Sequence, residues 1–385
     1  MSKLDDYGDN LGIKGQMVVF LIGVALVSLH KKLSEDPDNL SEEKILFYKE
    51  VIKAILYFKK ESKKWIDTDL AAAYLLGVDY ANKQNKINKQ AVNDIINGTF
   101  LFKGIQSDVF DSKNVILKKY PKHIPIVNLI QSQALGYVNK QAFQILRAAD
   151  DIFRQTAIEV SSYAYKEATN FTRLRLSQEL LNEYSRKGLL TITYKNGAVH
   201  SIDNYCEMLG RTMTNNAFRQ ANLNRYQEFG YELGTVSSHF RACNLCTPYE
   251  GEILSLDGKS KDYPSIWDAE TQGLFHPNCK HSISPYWEGA EKTKDVSIDP
   301  AEKALINEYG YKEAQKMSYS AQQYQRYNER QIRKYKRLTA TSIDSRTKQR
   351  YNNKIREWQA KQRQLINNNP YLKRKYSREQ IERAH

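Results

Sequence analysis

From residue 11 to about 187, apolar positions recur every three or four residues, the spacing of helices packed against one another. The stretch 15–30 predicts one apolar helix. A turn at Asp36-Pro-Asp-Asn39 follows, and Ser41 then reads as an N-cap, with Glu42 and Glu43 in the first turn, where the helix dipole favours them. Ile45, Tyr48, Ile52 and Ile55, widened by Val51 and Leu56, predict the buried stripe of that helix. Four lysines in 59–64 end it, and Asp67 or Thr68 caps the next, through Leu70 to Tyr80. Pro121 and Pro125 interrupt the pattern. A long helical segment over 127–186 follows, broken near 148–151, with a core stripe of Phe143, Leu146, Phe153, Ala157, Val160, Ala164 and Phe171. The first half therefore predicts long antiparallel helices packed side by side.

The register changes at Leu189. Thr191-Ile-Thr-Tyr-Lys195, Asn196-Gly197 and Ala198-Val-His-Ser-Ile202 spell a β-hairpin, because Asn-Gly supplies the two positive-φ positions of a type I′ turn. Asp203 caps a helix running to about Phe229. Strands are expected over 233–240, 251–256 and 283–287, with an irregular passage over 264–273. A polar linker over 288–299 leads to a helix opened by Pro300 and ended by Gly310. Two basic helices close the chain. Tyr324, Tyr327, Gln331, Tyr335 and Leu338 line one side of the first, and Tyr351, Ile355, Trp358, Gln362 and Leu365 repeat at coiled-coil spacing in the second. The turn between them falls at 339–344, and Asn367-Asn-Asn-Pro370 stops the second helix. The expected fold is mostly α with a small α+β module: a helical domain over 1–187, the module over 188–290, and a linker with basic C-terminal helices over 291–385.

Composition sharpens this picture. The chain has 385 residues, 41% hydrophobic and 26% charged, which fits a soluble folded protein of two or three domains. Its net charge of +14 is lopsided: 321–385 holds 18 Lys+Arg against 5 Asp+Glu, so nearly all the excess sits in the tail. Such a block implies a polyanionic neighbour, whether nucleic acid, an acidic protein or anionic lipid. The acidic N-terminus does not read as a secretory signal. The apolar stretch 17–29 is 13 residues long, short of the roughly 20 a bilayer span needs, so a buried core helix is expected and a membrane partner is not.

The candidate chemistry lies between Cys243 and His281. Three of the four cysteines sit in Cys243-Asn-Leu-Cys246 and His276-Pro-Asn-Cys279-Lys-His281. A C-x2-C pair sets two thiolates on one turn, and a second knuckle carrying Cys and His completes a tetrahedron around Zn2+. Five donors compete for four places: Cys243, Cys246 and Cys279 are expected as ligands with either His276 or His281. The alternatives are ordinary buried thiols or a catalytic metal. No H-E-x-x-H, G-x-S-x-G, Walker loop or deaminase H-x-E pattern occurs, so an enzyme reading is left with a zinc-knuckle nuclease using His239 or His281 as base. Glu250 and Glu252 are expected at the surface.

Several strings, in order, carry a family likeness. Ile202-Asp-Asn-Tyr205, Arg211-Thr212, Asn215-Asn-Ala217, Val236-Ser-Ser-His239, Tyr249-Glu-Gly-Glu-Ile-Leu254 and Gly273-Leu-Phe-His-Pro-Asn-Cys-Lys-His281 resemble the phage minor capsid, or MuF-like head-morphogenesis, proteins. So do Ser284-Pro-Tyr286 and the tail strings Tyr324-Gln-Arg326, Glu329-Arg-Gln-Ile-Arg-Lys334 and Arg356-Glu-Trp-Gln359. The resemblance implies a structural virion protein that meets portal, scaffold or major capsid protein during assembly in the host cytoplasm and lies in the head near packaged double-stranded DNA. Arg330, Arg333, Lys334, Lys336, Arg337, Lys373, Arg374 and Lys375 are the cations expected to meet that DNA. The family's second knuckle often reads Cys-x-Cys, which favours His281 as the ligand beside Cys279. No catalytic residues follow from the likeness.

Overall fold

The computed structural model describes residues 2–97, 119–187, 190–193, 199–288 and 298–381. Helix α1 (Ser2–Glu35) is the central element. Its Leu11, Val18, Val19, Ile22, Leu26 and Leu33 are fully buried, between α2 (Leu40–Trp65) and, later in the chain, α6 (Ile202–Glu228). By length and composition α1 could cross a membrane; here its apolar face is the core of a helical bundle.

Three expected boundaries move. Helix α2 has Asn39, not Ser41, at its N-cap position, and Glu43 is buried against Lys32 at 3.0 Å. The lysines do not end it. A π-helical turn, Ile66–Leu70, carries the rod straight into α3 (Ala71–Asn97), and the Thr68 hydroxyl donates back to the Lys64 carbonyl at 2.9 Å instead of capping a new helix. Helix α4 (Ile124–Val160) has Pro125 in its first turn and passes 148–151 unbroken. The interruption comes later, at a single turn, Tyr163–Lys166, before α5 (Asn170–Lys187).

The core face of α2 is Phe47, Val51, Ala54 and Phe58, so the expected row through Ile45, Ile52 and Leu56 faces solvent. On α4 and α5 the expected Phe143, Leu146 and Phe171 are likewise exposed, whereas Phe153 and Val160 are buried. Each of these helices has two apolar faces at helical spacing, and periodicity does not rank them. The face turned inward on α2 and α4 interleaves alanines (Ala54, Ala134, Ala142, Ala149) with large residues, which lets helices approach closely.

Strands β1 (Thr191–Thr193) and β2 (Val199–Ser201) pair antiparallel with Ile192 opposite His200. A two-residue Asn196-Gly197 turn would set Ile192 opposite Ser201; the turn itself lies outside the described residues. Helix α6 then buries Ile202, Cys206, Leu209, Met213, Ala217 and Ala221 in the same core as α1 to α5, so that core crosses residue 187. A Cβ on Gly210 would sit 2.2 Å from the Gly8 carbonyl, which shows how closely α1 and α6 cross. Asp203 is not a cap but a buried partner of Arg337.

A three-stranded antiparallel sheet follows, with β3 (Leu233–Val236) between β4 (Ile253–Ser255) and β5 (Ile283–Tyr286). A short helix, α7 (Ile266–Thr271), is capped by Ser265. Most of the polar linker expected over 288–299 lies outside the described residues. Helix α8 (Pro300–Tyr309) opens on an Asp299 cap and ends at Gly310, whose φ of 78° suits glycine. Helices α9 (Tyr311–Ala340) and α10 (Ser345–Asn368) form the expected antiparallel hairpin, with Tyr327 against Trp358 and Tyr335 against Tyr351.

Candidate metal centre

Strand β3 delivers the chain to the first knuckle, where the Cys246 and Thr247 amides both donate to the Cys243 carbonyl at 3.0 Å and close the turn. The second knuckle forms between Phe275 and Asn278, both with positive φ, and the Cys279 amide donates to the His276 carbonyl at 2.9 Å. Asparagine tolerates that region; a phenylalanine there marks backbone held by its surroundings. Helix α6 does the holding. Asn215 Nδ2 donates to the Cys279 carbonyl at 2.9 Å, and the Asn278 amide donates to Thr212 Oγ1 at 3.2 Å.

The two knuckles meet. Cys246 Sγ and Cys279 Sγ are 3.6 Å apart, Cys243 Sγ is 2.9 Å from His276 Nε2, and Cys279 Sγ is 3.4 Å from His281 Nδ1. Two groups of three, Cys243/Cys246/His276 and Cys246/Cys279/His281, each keep their ligand atoms within 4.8 Å of one another. Two thiolates bound tetrahedrally to zinc at ~2.3 Å lie about 3.8 Å apart, close to the observed sulfur pair. Each histidine is oriented through its other nitrogen: His276 Nδ1 on the Pro277 carbonyl at 2.8 Å, His281 Nε2 on Glu250 at 3.1 Å. That outer contact is what a metal-binding imidazole needs. Cys206, the remaining cysteine, is buried against Gly15 of α1 and takes no part.

The hydrogen bond from the Cys246 thiol lowers the pKa of Cys279, while that same contact and burial raise that of Cys246. Burial alone would lower His281, yet Cys279 and Glu250 on its two sides hold it up at about 9. Arg219 is buried beside the thiols, with its guanidinium 4.2 Å over the Phe275 ring, and burial lowers it to about 10. It adds a positive charge beside a three-thiolate site whose net charge with Zn2+ would be negative.

Glu250 was expected at the surface and is instead a half-buried anchor, accepting from the His239 amide and from His281; Glu252 is exposed as expected. The ring of His239 is also committed: its Nε2 lies 3.1 Å from the Lys280 carbonyl and 3.3 Å from Ser237 Oγ, and burial lowers its basicity.

A family model described as phage minor capsid protein 2 matches residues 49–367. The chain belongs to that family. Two relatives are each described as a structural protein. That of Lactococcus phage LL-H is 27% identical over 334 residues, covering 78% of this chain and 84% of the relative. That of Lactococcus phage mv4 is 33% identical over 125 residues, covering 31% and 92%. No solved structure matches. The minor capsid protein is thus a phage structural protein, with the virion as its place.

The expected DNA-facing cations divide in this minor capsid protein. Arg333 is buried and donates to Glu207 at 3.1 Å and to the Arg378 carbonyl; Arg337 is buried on Asp203 at 2.7 Å; Arg374 is held by Glu379 at 2.6 Å. Arg333 and Arg337 fasten α9 to the body, and Arg374 braces the tail on itself. The carboxylates that Arg333 and Arg337 meet lie more than 100 residues away, beyond the reach of local pattern. Arg330 and Lys373 are exposed, Lys334 and Lys375 half-buried, and Lys336 Nζ reaches Gln380 at 2.7 Å. Helix α10, expected as basic, holds none of those named cations, yet seven Lys+Arg stand there against the single acidic Glu357. Arg346, Arg350, Lys354 and Lys361 share its outer side.

Proposed function

We propose that this minor capsid protein is a non-enzymatic head-morphogenesis component of a tailed phage, built around a structural zinc clasp. It docks on the portal and on scaffold or major capsid protein during assembly in the host cytoplasm, and keeps its basic hairpin toward packaged double-stranded DNA. The observation that carries the clasp is the 3.6 Å between sulfurs of two knuckles 33 residues apart. Cys243, Cys246 and Cys279, with His276 or His281, would hold the ion. Zinc supplies a cross-link with no open coordination position, and the short strands of the sheet would depend on it for order.

Native mass spectrometry tests this. One zinc per chain is expected, lost in Cys243→Ser and Cys279→Ser together with a lower melting temperature. A zinc-free wild type whose folding ignores Cys243→Ser overturns the clasp, and His276→Ala against His281→Ala assigns the fourth ligand. Co-purification with portal subunits tests docking. For DNA, phosphate contacts by Arg330, Lys334, Lys336, Lys373, Lys375 and the α10 cations predict sequence-independent binding that weakens steeply with salt. Binding that is insensitive to salt would refute that contact.

A further inference from the structure

Five of the apolar side chains left outside the bundle are grouped. Tyr48 donates to Asp150, Phe47 stacks on Phe153 with ring centres 5.8 Å apart, and Gln131 donates to the Ile66 carbonyl at 3.2 Å. Helices α2 and α4 therefore run antiparallel, each step forward on one matching a step back on the other. In that register Ile52 comes level with Leu146, and Leu56 level with Phe143. On the helical wheel Ile45, Ile52 and Leu56 lie on the flank of α2 that carries Tyr48 toward α4. Phe143 and Leu146 lie on the flank of α4 that carries Asp150 toward α2. These five are 70%, 50%, 61%, 75% and 38% exposed. They line an open seam between the two helices about 17 Å long, three helical turns.

The rim of this seam is basic. Lys49, Lys59 and Lys60 on α2 and Lys140 and Arg147 on α4 are exposed around it. Of the acidic groups nearby, Glu50 is matched by Lys53 at 2.6 Å and Asp150 by Arg154 at 2.8 Å, and the exposed Glu42 and Asp151 leave the rim with more Lys+Arg than acid. A contiguous apolar strip rimmed by polar groups on a folded surface marks an interaction site, and a groove three turns long fits the i, i+3/i+4, i+7 anchors of a helix. We propose that the α2–α4 seam is the docking groove for an amphipathic helix with acidic flanks, belonging to another protein of the virion. A second copy of this chain would set one basic rim against another, so charge selects an acidic occupant. The proposal rests on the virion reading above.

The test places a photo-crosslinking benzoylphenylalanine at Phe143 in the phage-encoded chain. Purified particles are first probed for the protein, and its absence there would refute the virion reading rather than the groove. In particles that contain it, the expected crosslink joins Phe143 to a segment of a different virion protein with apolar residues at helical spacing and more Asp+Glu than Lys+Arg. A crosslink to a second copy of this chain, to a basic segment, or to nothing overturns the proposal. The crosslinked segment, made as a peptide, is then titrated against purified protein. Ile52→Glu and Phe143→Glu should each weaken binding at least tenfold without changing the circular dichroism, since both sites are solvent-exposed. Lys49→Glu with Arg147→Glu should weaken it in the same sense, and unchanged affinity in these variants would also overturn the groove.

Discussion

His30 is fully buried on α1, with Nε2 3.4 Å from Thr156 Oγ1 and Nδ1 without a partner. Burial lowers its pKa from the ordinary 6.5 to about 4. The unfolded chain therefore takes up a proton near pH 6.5 that the folded chain refuses until about pH 4. Stability is fully present above pH 6.5, falls as pH drops through that window, and levels off below it. With 1.36 kcal/mol per pKa unit, the loss is about 2 kcal/mol at pH 5 and about 3 kcal/mol below pH 4. His30→Leu keeps most of the volume and removes the proton site. Thr156 Oγ1 is not orphaned, because it also donates to the Ile152 carbonyl at 3.0 Å. Urea unfolding of wild type and variant at pH 7.5 and pH 5 gives the answer as a difference between two proteins that share every other titrating group. The variant should lose about 2 kcal/mol less than wild type between the two pH values. Equal losses would refute the claim that a neutral imidazole is locked in this core.

Three further outcomes follow from the packing. Arg337→Met alone should cost roughly 3–5 kcal/mol by stranding the buried Asp203 carboxylate, and Asp203→Leu combined with it should restore much of the loss; strictly additive effects in the double variant would show that the pair does not interact. Gly210→Ala should destabilise by about 1–3 kcal/mol, because its Cβ meets the Gly8 carbonyl and the two backbones must separate; an unchanged denaturation midpoint would refute the close crossing. Glu250→Gln should leave the fold intact but loosen His281, so bound zinc should exchange faster with a chelator; identical exchange would mean that His281 is outside the ligand set.

What the sequence disclosed is what depends on neighbours in the chain. Pro300 and Gly310 bracket α8, the tyrosine–tryptophan spacing builds the α9–α10 hairpin, and the C-x2-C turn meets the second knuckle. What it hid depends on partners far away. Nothing local distinguishes Val51, which is buried, from Ile52, which is not, since which face turns inward is settled by α1 and α4. Nothing near Arg333 reveals that Glu207 waits for it. The break placed at 148–151 fell on a small-residue and acidic run that helix α4 accommodates: Ala149 packs inward and Asp150 takes the Tyr48 hydroxyl. Glu250 looked like surface because its two histidine contacts come from separate loops.

The α6 surface that covers helix α1 is translated more than 160 residues after it. At about 5–20 residues per second, the face of α1 that α6 buries stays uncovered for roughly ten to thirty seconds in each round of synthesis. The nascent chain thus carries that face bare until α6 emerges, and a chain cut before Ile202 keeps it bare.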